Sequence, residues 1–529
     1  MTKQETLALS APSLGGEVIG VVDDETDVAL FRGIPYASVN KRWTHSKTLH
    51  SLESGFDATK LSYRCSQTNG MVLVSGGVDD PIPGDDEFKC LNLNITAPSE
   101  ALATPGKLLP VMVWIHGGGF AYGANSVARY RPQAFVANAR DSKYPVLLVS
   151  INYRLGIFGF AFSDDLTEEG KGGSKESPIG NYGLVDQRNA LEWINAHIQD
   201  FGGDPNQITV FGVSAGGLSI HMHLLAEHAL FDRAIMMSGI GPVISPISGQ
   251  FHQSQWDSLC ALLGIEAESW AERMEKLREV STLDMLNSSG TATLGPVADG
   301  QLLHEGWHYE DHMSNKRCKD IIVGDTNVEA LIFDGLITKL PQAKFHEAVE
   351  ATFSPSFAEE LYSQFGFTKE PQSFEDFRKA FRLLAGNVFF NYNNVGLAKA
   401  SCSSDAWRDH VYLYHFEIPS PFPGPTFGYS YHGLCALLMH LNEFKACPAE
   451  AQIASKEAAK LFAVFASGKE PWEPYSKNEK FMRIGPKASC DMHTFKSDDT
   501  RNYAFHEWLG AHIYEVGRFV RRTMANCEK

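Results

Sequence analysis

The sequence predicts an α/β fold: one large, mostly parallel sheet with helices on both faces. Two observations lead there. Short β-branched runs alternate with amphipathic stretches along much of the chain. One such run ends in a glycine-flanked serine, and a helix opens directly after it. Leu109–Ile115 and Val146–Ile151 read as buried strands, followed by a helix whose apolar residues Leu184, Leu191, Ile194 and Ile198 fall near one face. Gln207–Phe211 is the next strand and Ala215–Ala226 the next helix. Further strands are expected at Ala234–Met237, Asp320–Val323 and Val411–Phe416, and late helices at Ser455–Ser467 and His506–Thr523. The last helix ends in Arg518, Arg521 and Arg522, where positive charge suits the helix dipole. Gly76–Asp86 and the proline-rich Pro419–Tyr429 read as loops. Without an internal repeat or a low-complexity linker, residues 1–529 are expected to form one domain.

Composition narrows the function classes. The formal net charge of −17 repels phosphate backbones and anionic lipid, so nucleic acid and membrane surfaces are not expected partners. No run of apolar residues is long enough to span a bilayer. The amino terminus lacks the apolar segment of a secretory signal, which points to the cytoplasm; a secreted mature form is the alternative, and Met1 speaks against it. The nine cysteines show no CxxC spacing, which argues against a zinc site or a redox dithiol. Sequons at Asn94 and Asn287 would matter only on a secretory route. His221 and His223 are two apart on a helix and cannot share a metal; His506-Glu507 lacks the second histidine of an HExxH site. Neither a metal nor an organic cofactor is expected.

The strongest chemical signal is Gly212-Val213-Ser214-Ala215-Gly216 between the strand and its helix. A sharp strand-to-helix turn strains the serine and exposes its hydroxyl, while the helix amino terminus supplies a positive field. Ser214 is the candidate nucleophile. His116-Gly117-Gly118-Gly119-Phe120 follows the strand that ends at Ile115 and matches a glycine-rich oxyanion-hole motif. The amides of Gly118, Gly119 and Ala215 are the candidate oxyanion donors.

With these motifs in hand, the chain resembles the type-B carboxylesterase/lipase family, which includes the cholinesterases and fungal lipases; it is nearest in character to the fungal intracellular members. The resemblance also rests on Phe31-Arg-Gly-Ile-Pro-Tyr-Ala37 with Arg42-Trp43, and on Asp86–Asn94 around Cys90. It continues through Gly180–Gln187, Phe201–Pro205, Pro296–Gly300 and Phe465–Gly468. It implies the α/β-hydrolase fold, a serine esterase that cleaves a carboxylic ester, and a triad in the order nucleophile, acid, base. Glu329 occupies the position of the family's acid, with Asp325 as competitor. His432-Gly433 occupies that of the base, with His415 and His440 as rivals. A pairing of Cys65 with Cys90 is likewise implied by the family, although a cytosolic member would be expected to keep both as free thiols.

The departures from the family pattern bear on the substrate. Val213 stands where many members carry glutamate, Ala330 follows Glu329 where glycine is usual, and the residues after Gly433 lose the usual acidic and aromatic pattern. Ser66–Asp86 contains no tryptophan to hold a quaternary ammonium. The expected partner is a small ester with an uncharged alcohol and an apolar acyl chain. The exposed faces of the carboxyl-terminal helices leave room for a homodimer. Two other readings stay open: acyl transfer to a bound alcohol or amine with the same triad, and a non-catalytic binding module on the same scaffold.

Overall fold

The computed structural model describes residues 5–68, 81–103, 106–171, 179–225, 230–241, 246–289, 294–300, 302–303, 313, 316, 318–442 and 446–525. Its principal strands are β1 (Thr6–Ala11), β2 (Gly16–Asp23), β3 (Val28–Pro35), β4 (Asn92–Pro98), β5 (Leu109–Ile115) and β6 (Leu147–Ile151). After helix α1 (Tyr182–His197) come β7 (Gly203–Val213), α2 (Ala215–Leu225), β8 (Arg233–Met237) and β9 (Asp320–Thr326). The chain continues through α3 (Phe374–Gly386), α4 (Tyr392–Cys402), β10 (Val411–Phe416), α5 (Leu434–Met439) and α6 (Ala449–Ala466). It closes with β11 (Phe481–Ile484), β12 (Cys490–His493) and α7 (His506–Ala525).

These strands join one sheet in the order β1-β2-β3-β4-β6-β5-β7-β8-β9-β10-β11-β12. The stretch from β6 to β11 is parallel, and antiparallel strands extend both ends. The fold is therefore the mostly parallel, helix-covered sheet expected, with an antiparallel amino-terminal edge that the strand–helix pattern did not reveal.

Both faces of the sheet are buried, so the central strands are largely apolar, and strand periodicity sorts their apolar residues between two cores. Val111, Val113, Val210, Ala234, Met236 and Val323 share one core with Leu184, Leu191 and Ile194 of α1. Met112, Trp114, Phe211, Val213, Ile235 and Met237 face the other, with α5 and α6. A third cluster, rich in phenylalanine, forms among α3, the shorter helices before it and α7.

The expected loop at 419–429 is irregular, as is 81–86; the earlier part of the Gly76–Asp86 loop lies outside the described residues. One expectation needs correcting. Cys65 and Cys90 are not free thiols but form a disulfide, with their Cα atoms 4.7 Å apart. Their backbones approach because the segments carrying them both pack into the buried core beside β4. The sequon at Asn94 is buried, its side chain accepting from the Gly33 amide at 2.8 Å. Asn287 is exposed.

Candidate active site

Ser214 lies between the last residue of β7 and the first of α2. The turn forces it to φ +57°, a left-handed conformation rare for a residue with a side chain. Its neighbours must be small: a Cβ on Gly216 would fall 2.1 Å from the Ile115 carbonyl, and one on Gly212 2.6 Å from the same oxygen. The Ser214 amide is used up, donating to the Met237 carbonyl at 2.9 Å, which leaves the side chain as the group on offer. Ser214 remains partly exposed among buried neighbours.

The glycine loop after β5 lies against this turn. A Cβ on Gly117 would come within 2.6 Å of the Val213 carbonyl and 3.2 Å of Ser214 Cβ. Gly118 and Gly119 adopt φ of +116° and +60°, and among the described residues their amides make no hydrogen bond. Ala215 opens α2, so its amide has no carbonyl one turn earlier within the helix. The loop is held from below by His116, whose ring stacks on Tyr153 at 4.5 Å while the Tyr153 hydroxyl donates to the His116 carbonyl at 2.9 Å. Burial lowers the His116 pKa to about 4, so it is a neutral prop. Gln67 braces the far side, accepting from the Gly123 amide at 2.8 Å and donating to the Cys65 carbonyl at 2.8 Å.

Glu329 follows β9, and His432 lies on the loop after β10. His432 Nδ1 lies 2.5 Å from Glu329 Oε2. The other carboxylate oxygen accepts from the Thr326 amide at 2.7 Å and from the Ser238 hydroxyl at 2.6 Å. A carboxylate against Nδ1 selects the tautomer with its proton there and leaves Nε2 as the base. His432 Nε2 is buried and has no partner among the described residues. Phe390 covers the imidazole with ring centroids 4.6 Å apart, presented from a π-helical turn at Asn387–Asn391 between α3 and α4.

The rival residues sit elsewhere. Asp325 meets His415 Nδ1 at 2.8 Å and Arg501 Nη1 at 2.5 Å, and Arg501 also binds Glu417. Burial opposes the Asp325 charge, but Arg501 and His415 outweigh it and hold the carboxyl at about 2. This buried ion network ties β9 and β10 to the segment before α7. His440 packs its ring against Trp114 and Tyr130, with Nδ1 on the Ala436 carbonyl at 2.7 Å and its pKa lowered by burial to about 4. His223 bonds Gln187 at 2.8 Å. Among the described residues no cluster of His, Cys, Asp and Glu could hold a metal ion.

Sequence reasoning missed Ser238 and Phe390. Ser238 directly follows β8, one strand from the nucleophile, and reaches Glu329 across 91 residues of chain, so no local pattern marks it. Phe390 is one of many phenylalanines in its region, and only the π-turn aims it at His432.

The sequence matches the Carboxylesterase family over residues 4–504. Esterase cest-33 of Caenorhabditis elegans is 29% identical over 531 residues, covering 90% of each chain. Lipase 1 of Yarrowia lipolytica is 26% identical over 480 residues and 88% of each chain. Para-nitrobenzyl esterase of Bacillus subtilis is 35% identical over 279 residues, 52% of this chain and 51% of that one. Among solved structures, a PNB esterase superposes with a TM-score of 0.72 at 24% identity, covering 92% of this chain and 97% of that chain, a likeness of fold. With the family match running through the strand–serine–helix turn and the glycine loop, the chain belongs to the carboxylesterase family and is a carboxylic ester hydrolase of the α/β-hydrolase fold.

Proposed function

We propose that the chain cleaves its ester through an acyl-enzyme on Ser214, with His432 as general base and Glu329 as its orienting acid. The carrying observation is the imidazole bonded at Nδ1 to a buried carboxylate, with Nε2 left without a partner among the described residues. As Ser214 Oγ attacks the carbonyl carbon, His432 Nε2 takes its proton, and Glu329 stabilises the imidazolium. The carbonyl oxygen becomes an oxyanion facing the amides of Gly118, Gly119 and Ala215, each donor worth roughly 10²–10³ in rate. Collapse expels the alcohol with the proton from His432. Water, deprotonated by the same nitrogen, then attacks the acyl carbon and releases the acid.

Val213 supports a substrate without a cationic alcohol. It is 3% exposed and belongs to an apolar cluster with Phe211 and Met237, so it offers no counter-charge where a glutamate would. The exposed surfaces of α6 and α7 are where a homodimer would form.

The test is intact-mass spectrometry after fluorophosphonate treatment, with the adduct mapped by peptide. One adduct on Ser214, lost in His432→Ala, supports the reading. Folded protein that takes no adduct, or an adduct elsewhere, overturns it.

A further inference from the structure

Each peptide of the glycine loop is planar and trans, so an amide hydrogen and the carbonyl of the same peptide point in opposite directions. Whatever holds the carbonyl therefore aims the donor. The Gly117 carbonyl shares a peptide with the Gly118 amide, and it accepts from His116 Nδ1 at 2.8 Å. The Gly118 carbonyl shares a peptide with the Gly119 amide, and it accepts from the amides of Ala121 at 3.0 Å and Tyr122 at 3.1 Å. Both candidate oxyanion donors are thus aimed from behind, by bonds on the far side of their own peptides.

Gly123 backs both of these bonds. A Cβ on Gly123 would fall 2.4 Å from His116 Nδ1 and 2.6 Å from the Gly117 carbonyl, so its α-carbon is pressed against that pair. Gly118 is pressed in turn against the peptide that joins Tyr122 to Gly123: a Cβ on Gly118 would lie 1.9 Å from the Tyr122 carbonyl oxygen. Gly123 adopts φ +119°, and with no side chain it has only its amide and carbonyl to be held by.

Gln67 takes both groups. Its Oε1 accepts from the Gly123 amide at 2.8 Å, and its Nε2 donates to the Gly123 carbonyl at 3.0 Å and to the Cys65 carbonyl at 2.8 Å. The two bonds to Gly123 copy the exchange between facing residues of an antiparallel pair. The bond to Cys65 uses the second amide proton and fixes which way the side chain is turned.

We propose that Gln67 is a positioning residue for the oxyanion hole: by holding Gly123 at both backbone groups, it keeps the amides of Gly118 and Gly119 aimed at the developing oxyanion. This rests on the Ser214–His432 reading, under which those amides face the attacked carbonyl oxygen. A hydrogen bond weakens steeply as its donor tilts, so a loosened loop loses rate without losing a donor. The oxyanion depends on these donors more than the ester carbonyl does, so the loss falls on the transition state.

The experiment compares the unaltered chain with Gln67→Met, which keeps the length of the side chain and removes its donor and acceptor. Gln67→Asn, too short to reach both Gly123 groups, carries the same test should the methionine protein not fold. Fluorophosphonate labelling of Ser214 counts the active sites, and turnover of a chromogenic ester is expressed per labelled site, well below each melting temperature. The second probe is an alkyl trifluoromethyl ketone. Ser214 Oγ adds to its carbonyl carbon, His432 Nε2 takes the proton, and the carbonyl oxygen becomes an oxyanion facing the loop. The expected result is a loss of about tenfold or more in kcat, below the roughly 10²–10³ of removing a donor outright, with a matching loss of affinity for the ketone. Acylation and deacylation both pass through the oxyanion, so they slow together and KM changes little. The acid limb of kcat/KM stays in place, because it reports the base, to which Gln67 is not bonded. A glutamine that served only the fold would lower the melting temperature alone. Full turnover per labelled site, or lost turnover with ketone affinity retained, would overturn the proposal. An unaltered chain that takes no adduct on Ser214 would instead bring down the underlying reading, and this inference with it.

Discussion

Ser238 gives the sharpest test of how the site holds its base. Its hydroxyl is one of two donors to Glu329 Oε1, at 2.6 Å, the other being the Thr326 amide at 2.7 Å. Glu329 is 1% exposed, so water cannot readily replace a lost donor, and alanine in place of serine frees too little space to admit one. A hydrogen bond to a buried charge is worth roughly 1.5–3 kcal/mol, which sets the stability loss expected for Ser238→Ala. Catalysis loses only the share that acts through orientation, because the carboxylate can now turn away from His432 Nδ1. A share of about 1.4 kcal/mol corresponds to about tenfold in kcat, with KM little changed. Glycine separates the two effects. Ser238 sits at φ +47°, so Ser238→Gly relieves backbone strain of roughly 1 kcal/mol while removing the same hydroxyl. It should melt above Ser238→Ala yet share its deficit in kcat. Steady-state kinetics on a chromogenic ester and thermal melts of all three proteins provide the assay. If both variants keep wild-type kcat while their stabilities differ, the hydroxyl holds only the fold, and its positioning role is refuted.

Other outcomes are fixed by the same geometry. Val213→Glu puts a carboxylate into an apolar cluster, so the melting temperature should fall, and a choline ester should gain over its uncharged isostere; a folded variant with an unchanged substrate profile would remove the role given to Val213. The Asp325 carboxyl is held at about 2, below its unfolded value near 4, so its contribution is complete above pH ~4 and fades as pH falls toward 2. Asp325→Asn should therefore lose stability at neutral pH and show a shallower acid limb in melts taken from pH 6 to 2; parallel acid limbs would contradict this. Cys65→Ser opens a bridge between residues 25 apart, a loss of about 3 kcal/mol, and loosens the Gln67 brace on the glycine loop. Both Tm and kcat should drop, reductant should reproduce the drop in the unmodified chain, and a thiol count that already includes both cysteines would argue that the bridge is absent.

The parts legible in the sequence were those with local causes. Leu109–Ile115 and Val411–Phe416 are strands at their expected bounds, because a buried parallel strand is a continuous apolar run closed by a change of composition. The turn at Ser214 was legible because glycine is required at 212 and 216 by contacts with Ile115. Less local features escaped. β9 runs to Thr326 rather than stopping at Val323, because pairing with β10 carries Gly324 and Asp325, which are poor strand formers, into the sheet. α6 starts at Ala449, six residues before the expected helix, on an alanine-rich stretch with little amphipathic signal. The amino-terminal antiparallel strands gain their identity from partners rather than from their own pattern. The geometric choice between Glu329 and Asp325 as the neighbour of His432 was equally out of local reach: they lie four residues apart at the end of one strand, and it is the distant His415 and Arg501 that occupy Asp325.

Two departures from the family pattern bear on one property of the pocket, the sign of its charge. Where many relatives carry a glutamate before the serine, this chain has Val213, and the stretch after His432, Leu434–Met439, is wholly buried and apolar. Cys435 in that stretch is a thiol whose pKa burial pushes up to about 12, so it adds no negative charge either. Removing carboxylates from around a site raises its potential without any new cation, and a low dielectric lets that change act over several ångströms. Val213→Glu should therefore lower the potential beside Ser214, and an ester with an anionic alcohol should lose more in kcat/KM than its neutral isostere. Equal losses for the two esters would mean that position 213 acts through packing alone, and the electrostatic account would fail.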